Sequence, residues 1–262
     1  CTYNSKELTC YTDQDINSII PLINDENINW LQINGMQDTG IIKNVCQFFN
    51  IDFLTTQDIL NSKHLTKIEE HDDYNVVILK ILRKNSEMEF EPQQLCIIHG
   101  KNYILTFVEK ETDFFKDILS ALNKNTLKIR NRTSDYLLSV LLNSSMANFM
   151  SILSSMEDEL EDMEEALIEP YGQDVPGIDK IQIYRRNYRL IKKCILPLKE
   201  NINKLSHTEN ELIYEVQKPF FNDVNDHLQF ALQTMESCRD LITAIVDLYM
   251  SRNDQRLNEI MK

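Results

Sequence analysis

Two sets of side chains in this sequence have the types and spacing to handle a cation. Asp223, Asp226 and His227 stand at i, i+3 and i+4, so on a helix two carboxylates and an imidazole share one turn, enough to hold a divalent ion. Carboxylate oxygens are hard donors and favour magnesium or calcium over zinc. The same spacing also arises by chance on exposed helices. The second set is a stripe: Asp240, Ala244, Asp247, Ser251, Asp254, Asn258 and Met261 follow one another by alternating steps of four and three. On a helix this puts acids, small groups and an amide on one face. Leu241, Ile242, Ile245, Leu248 and Tyr249 form an apolar flank to bury against other helices. Acids are densest at 157–169, where Glu157, Asp158, Glu159, Glu161, Asp162, Glu164, Glu165 and Glu169 crowd together. A solvated helix face is the simpler reading; a surface that gathers cations or a basic partner is the other.

Composition limits the partners. Across 262 residues, 41 acidic against 27 basic side chains give a net charge of −14, which disfavours nucleic acid and anionic lipid and favours cations. Catalysis finds no support. The five glycines form no phosphate loop, and there is no GxSxG elbow or recognisable Cys/His pair, so the chain does not read as an enzyme. His64, His71, His99 and His207 read as surface or satisfied core residues. Cys1, Cys10, Cys46, Cys96, Cys194 and Cys238 lack CxxC spacing and read as reduced thiols. The 42% of hydrophobic residues suffices for a core, while the longest apolar runs, such as 76–79, read as too short to span a bilayer.

Elements able to position these residues follow from periodicity. The spacing predicts strands at 30–34, 74–82, 95–98 and 103–108, the last two joined as a hairpin through Gly100, Lys101 and Asn102. Helices are expected at 38–49, 55–61 and 113–122. Asp58 then falls at a helix start, where the dipole favours a carboxylate. After Ser134 strand signals stop and two apolar seams appear. Leu138, Leu142, Phe149, Leu153, Met156, Leu160, Met163 and Leu167 make the first; Ile181, Tyr184, Tyr188, Ile191, Ile195, Leu198, Ile202 and Leu205 make the second. Pro170, Gly172, Pro176 and Gly177 break the chain between them, which predicts an antiparallel helical hairpin. A third helix starts near Lys218 and Pro219 and runs to the end, roughly 60 Å at about 1.5 Å per residue. A rod of that length is expected to pack against copies of itself. With neither Gly nor Pro to stop it, we expect it to continue past Lys262. The fold class is therefore α+β: an α/β/α layered sensing domain with a mixed sheet over 1–133, an acidic antiparallel hairpin over 134–208, and a stalk helix over 209–262.

Several motifs, in order and spacing, resemble the cytoplasmic domain of the CorA magnesium transporters. They are Trp30-Leu-Gln-Ile-Asn-Gly35, Phe48-Phe-Asn-Ile51 leading to Asp58-Ile-Leu60, Lys67-Ile-Glu-Glu-His-Asp-Asp-Tyr74, Gly100-Lys-Asn-Tyr-Ile-Leu-Thr-Phe-Val-Glu109 and Asp135-Tyr-Leu-Leu138. Pro197-Leu, Asp223-Val-Asn-Asp-His227, Arg239-Asp240, Asp247-Leu-Tyr249 and Asn258-Glu-Ile-Met261 continue the likeness into the stalk. The resemblance implies a homopentamer whose long helices wall a central pore, with two membrane helices and a Gly-Met-Asn signature that are expected beyond Lys262. It implies a regulatory divalent site shared by Asp58 of one subunit and Asp223 of its neighbour. With Asp226, these are the candidate metal residues. Asp247 matches an acidic ring, and Asn258 and Met261 match deeper pore positions; Asp240 and Asp254 lie on the same stripe. Gln57 and Asn143 are amides where family members often carry acids, which argues against a second, more hydrated site nearby.

The expected function is the metal-sensing and gating domain of a CorA-like magnesium channel, cobalt and nickel being further cargo. Divalent ions bound between subunits would close the pore. Magnesium is both sensed and transported, with calcium, cobalt and zinc as other occupants of the site. The fragment is expected to be soluble, at the cytoplasmic face of the inner membrane, and to meet the membrane only through C-terminal helices. It is expected to bind divalent cations and no nucleic acid. Two alternatives stay open: a soluble helical scaffold that binds partners through its acidic hairpin, and a zinc transporter of the same architecture.

Overall fold

The structure, a computed structural model, describes residues 1–12, 15–86, 89–168 and 177–261. Of the predicted Pro/Gly break over 169–177, residues 169–176 lie outside the described residues, and Gly177 is the N-cap of the following helix. β-branched and aromatic runs build seven strands: β1 (Thr2–Tyr3), β2 (Leu8–Thr9), β3 (Ile28–Asn34), β4 (Lys67–Glu70), β5 (Tyr74–Ser86), β6 (Glu89–Gly100) and β7 (Tyr103–Val108). They form one sheet in the order β2-β1-β3-β7-β6-β5-β4. β3 and β7 pair in parallel and the other neighbours antiparallel, so the sheet is mixed, as expected. The β6–β7 hairpin turns at Lys101 and Asn102. Gly100 is required there, since an added Cβ would sit 2.2 Å from the Tyr103 ring.

Both faces of the sheet are covered, and alternation along β5 shows how. Val76 and Ile78 face a core containing Ile42, Val45 and Ile59. These belong to α2 (Thr39–Phe48) and α3 (Phe53–Leu60), which follow the short α1 (Ile16–Ile19). Val77 and Leu79 face a second, larger core. It is built by α4 (Lys116–Lys124), α5 (Ser134–Ile168), α6 (Ile178–Ile195), α7 (Leu198–Ser206) and α8 (Lys218–Ile260). Among the described residues no strand follows Val108.

The helical half differs from expectation in its pairing. α6 and α7 do return antiparallel to α5, but the predicted second seam is two helices, because Pro197 interrupts it and Leu196 is exposed. The long partner of α5 is α8, and the two run parallel. Gln217 Nε2 donates to Thr133 Oγ1 at 3.4 Å, His227 Nδ1 lies 2.8 Å from Asn143 Oδ1, Cys238 Sγ is 3.7 Å from Leu153 O, and Arg252 Nη1 donates to Ala166 O at 3.1 Å. The offset is 84 to 86 residues throughout, the separations of those pairs. Met146, Phe149, Leu153, Met156, Leu160, Met163 and Leu167 on α5 meet Phe221, Val224, Leu228, Ala231, Met235, Cys238, Ile242 and Ile245 on α8, and all are buried. Both rows step by three and four, the spacing of a left-handed coiled pair. The stalk thus has a partner inside its own chain. The expectation of packing against other copies did not identify this partner: α5, at 35 residues, is nearly as long.

α5 meets the length and composition of a membrane span over an 18-residue window of mean hydropathy 1.4, but half of that window is buried within the fold, as in a core helix, so the reading of the apolar runs is not overturned. One further expectation is corrected. Cys1 and Cys10 form a disulfide rather than reduced thiols. The antiparallel register explains it, since Thr2 pairs with Thr9 and sets the flanking residues 1 and 10 face to face. Cys46, Cys96, Cys194 and Cys238 are free and buried.

Candidate functional site

Asp58 owes its setting to where α3 begins. Asp52 caps that helix: its Oδ1 accepts from the Thr55 N–H at 2.9 Å, and its Oδ2 accepts from Thr55 Oγ1 at 2.7 Å and Tyr74 Oη at 2.5 Å. Burial acts to raise the Asp52 pKa, but these hydrogen bonds win and hold it well below the usual carboxylate range. With the start fixed at Asp52, Asp58 falls in the last turn of α3 and not at a helix start. There the helix dipole opposes a carboxylate. Lys67 and His64 compensate. Lys67 Nζ is 2.6 Å from Asp58 Oδ2, and His64 Nε2 is 3.2 Å from Oδ1. Lys67 also reaches Glu69 Oε2 at 2.7 Å. Burial alone would lower the Lys67 pKa, yet the hydrogen bonds it donates to Asp58 and Glu69 raise it, so the ammonium stays charged.

Asp223 lies in the second turn of α8, which Pro219 opens, and it is exposed, as is Asp226. His227 Nδ1 is 3.9 Å from Asp223 Oδ2 but 2.8 Å from Asn143 Oδ1, so its ring is turned toward α5. Among the described residues no three His, Cys, Asp or Glu side chains converge as a metal-competent set. Asp58 rides on a helix of one core and Asp223 on a helix of the other, with the sheet between them. One chain does not bring them together. Gln57 is exposed beside Asp58.

On α8 the polar stripe is outward. Asp240, Asp247, Asp254, Asn258 and Met261 are all exposed, while Ile242 and Ile245 on the flank are buried. Asp240 accepts from Arg239 Nη2 at 2.9 Å. Asp247 borders a groove of about 290 Å³ between α6 and α8, also lined by Arg185, Tyr188 and Arg189. Asp158, Glu161, Asp162 and Glu165 are exposed, while Glu157, Glu159 and Glu164 are half-buried, and Glu159 accepts from Tyr184 Oη. His99 is fully buried between Asn75 and Ser134, a satisfied core residue as expected.

Sequence reasoning missed Lys67 and His64 beside Asp58. A signal existed for the first: Lys67, Ile68 and Glu69 alternate along β4, so the cation and the acid share the face opposite buried Ile68.

Comparison with known proteins adds the following. A profile described as CorA-like Mg2+ transporter protein matches residues 25–262. The cobalt/magnesium transport protein CorA of Thermotoga maritima is 29% identical over 261 residues, covering 99% of this chain and 74% of that protein. The complete structure of the CorA magnesium transporter from Methanocaldococcus jannaschii superposes with a TM-score of 0.79 at 18% identity, over 99% of this chain and 79% of that one. The ZntB cytoplasmic domain from Vibrio parahaemolyticus gives a TM-score of 0.70 at 15% identity, over 87% and 89% of the two chains.

Proposed function

The chain belongs to the CorA-like Mg2+ transporter family, and from that premise we propose that it is the metal-sensing and gating part of a homopentameric divalent-cation channel at the cytoplasmic face of a membrane. The observation that carries this reading is the outward face of α8. Its opposite face is sealed against α5, yet Asp240, Asp247, Asp254, Asn258 and Met261 stand exposed in line. Around a ring axis they would form successive levels, the acids about 10 Å apart, one heptad of helix rise. In this reading residues 1–133 sense the ion, 134–208 brace the stalk, and 209–262 wall the pore.

Asp58 of one subunit and Asp223 of the next are the proposed sensor. Both are oxygen donors, which suit magnesium or calcium better than zinc. Asp223 is open to solvent, while both oxygens of Asp58 already have partners. The pair therefore fits an ion that keeps most of its water and takes only one or two carboxylates. A divalent ion bound there supplies neutralising charge. Without it Asp223 faces an Asp58 whose charge Lys67 only partly offsets, and the remaining repulsion weakens the contact between subunits. Asp58 and Asp223 then separate, the subunits part, and the stalk helices widen the path for magnesium or cobalt. A zinc transporter remains the second reading, on the likeness in fold to the ZntB domain.

Melting temperature against magnesium concentration tests the sensor. An ion that binds only the folded assembly stabilises it by mass action, so the wild-type midpoint should rise with magnesium. Asp223→Asn should lose most of that rise. A full magnesium-dependent rise in the variant would remove Asp223 from the sensor.

A further inference from the structure

The carboxylate assigned to sensing is not vacant within its own chain. Lys67 Nζ lies 2.6 Å from Asp58 Oδ2, and His64 Nε2 lies 3.2 Å from Oδ1. The Asp58 side chain is only 25% exposed and that of Lys67 only 20%, so neither is loosely solvated. The backbone of Lys67 is fixed by pairing with Ile78 in β5, and the buried Ile68 beside it anchors the strand. Lys67 is thus held against Asp58 by the sheet.

We propose that Lys67 is a built-in counter-cation that competes with a divalent ion for Asp58, so that the ion binds there by exchange and not by filling an open site. This rests on the reading of Asp58 as half of the sensor. Glu69 makes the exchange feasible. It accepts a second hydrogen bond from the same ammonium at 2.7 Å and its side chain is 49% exposed. When Asp58 turns to a metal ion, Lys67 keeps Glu69 as its partner and is not stranded as an unpaired buried charge. What the incoming ion must overcome at Oδ2 is one partly exposed ion pair, beside the His64 contact at Oδ1. The affinity of the sensor is thereby set lower than two free carboxylates would give, in the range suited to an ion the cell holds in abundance.

The expectation is opposite in sign to that for a residue that merely positions Asp58. Lys67→Met keeps the aliphatic stem and removes the charge. Titration of the assembled chain with magnesium chloride by calorimetry should show Lys67→Met binding about three- to fivefold tighter than wild type, the factor worth of one partly exposed ion pair. Asp58→Asn should lose the binding, and the double variant should behave as Asp58→Asn. Should Lys67→Met unfold, Lys67→Gln carries the same expectation, the fold being checked first by circular dichroism. Affinity equal to or below wild type in the Lys67 variant, with binding lost in Asp58→Asn, overturns the competition and leaves the sensor standing. Full binding by Asp58→Asn removes the sensor itself and the competition with it.

Discussion

The two parts of α8 share one helix but not one environment. From Phe221 to Ile245 every third or fourth residue is buried against α5. Beyond that, Met250, Leu257 and Met261 are 61%, 58% and 82% exposed. The boundary is Arg252, whose Nη1 donates to Ala166 O at 3.1 Å and Leu167 O at 3.3 Å in the last turn of α5. That guanidinium satisfies carbonyls that a helix end leaves without partners and sits where the dipole favours a cation. The contrast teaches that burial is divided along one rod: the first part is needed for the chain to fold, and the second is where copies would meet in the proposed ring.

Core truncation should break the symmetry of the rod most strongly. Phe149→Ala or Leu228→Ala removes a fully buried side chain from the coiled seam and should cost about 3 to 5 kcal/mol in chemical denaturation. Leu257→Ala should stay within about 0.5 kcal/mol. Equal costs at the two ends would show the division to be false.

Acid should act in part through the buried core. His99 has its pKa pushed down from 6.5 to about 3 by burial. The unfolded chain takes up a proton near pH 6.5 that the folded chain resists until about pH 3. For this group stability is level above that window and falls as the pH drops through it, because the unfolded state binds more protons. Unfolding free energies measured from pH 7 to pH 4 should fall by a few kcal/mol, and His99→Asn should flatten part of that slope. A slope unchanged by the substitution would assign the loss to other groups.

The smallest effect sharpens the boundary. Arg252→Ala should cost about 1 kcal/mol globally and speed amide exchange in the last turn of α5 and the last turns of α8. Amides before Ile245 should be unchanged by comparison.

Much of this was legible in the residues. Apolar seams found the long helices, because burial on one side forces a period that composition cannot hide. The hairpin at Gly100, Lys101 and Asn102 was legible from its turn. The partner of a seam was not: a row of apolar residues says that a face is covered, not by which helix, so α5 was matched to the next helix in sequence and not to α8. β4 was missed because its alternation spans only four residues, with Ile68 as its one apolar side chain. Asp58 was misplaced because the helix was expected over 55–61, whereas Asp52 caps it and accepts the Thr55 N–H, so it starts at Phe53. The Lys67 contact depends on bringing a helix end to a sheet edge, and only tertiary structure supplies that.

The nearly even offset of 84 to 86 residues between α5 and α8 has a mechanical consequence. Interlocked seams cannot creep past one another by fractions of a turn; the next position at which every side chain again meets a matching gap is a whole heptad away, about 10 Å along the axis. Displacements shorter than this are carried along the pair undiminished. A push delivered at the sheet end, where Asp135 Oδ2 accepts from the Tyr214 N–H at 2.9 Å, would arrive at Arg252 as the same displacement, so the paired helices work as a stiff pushrod and not as a spring.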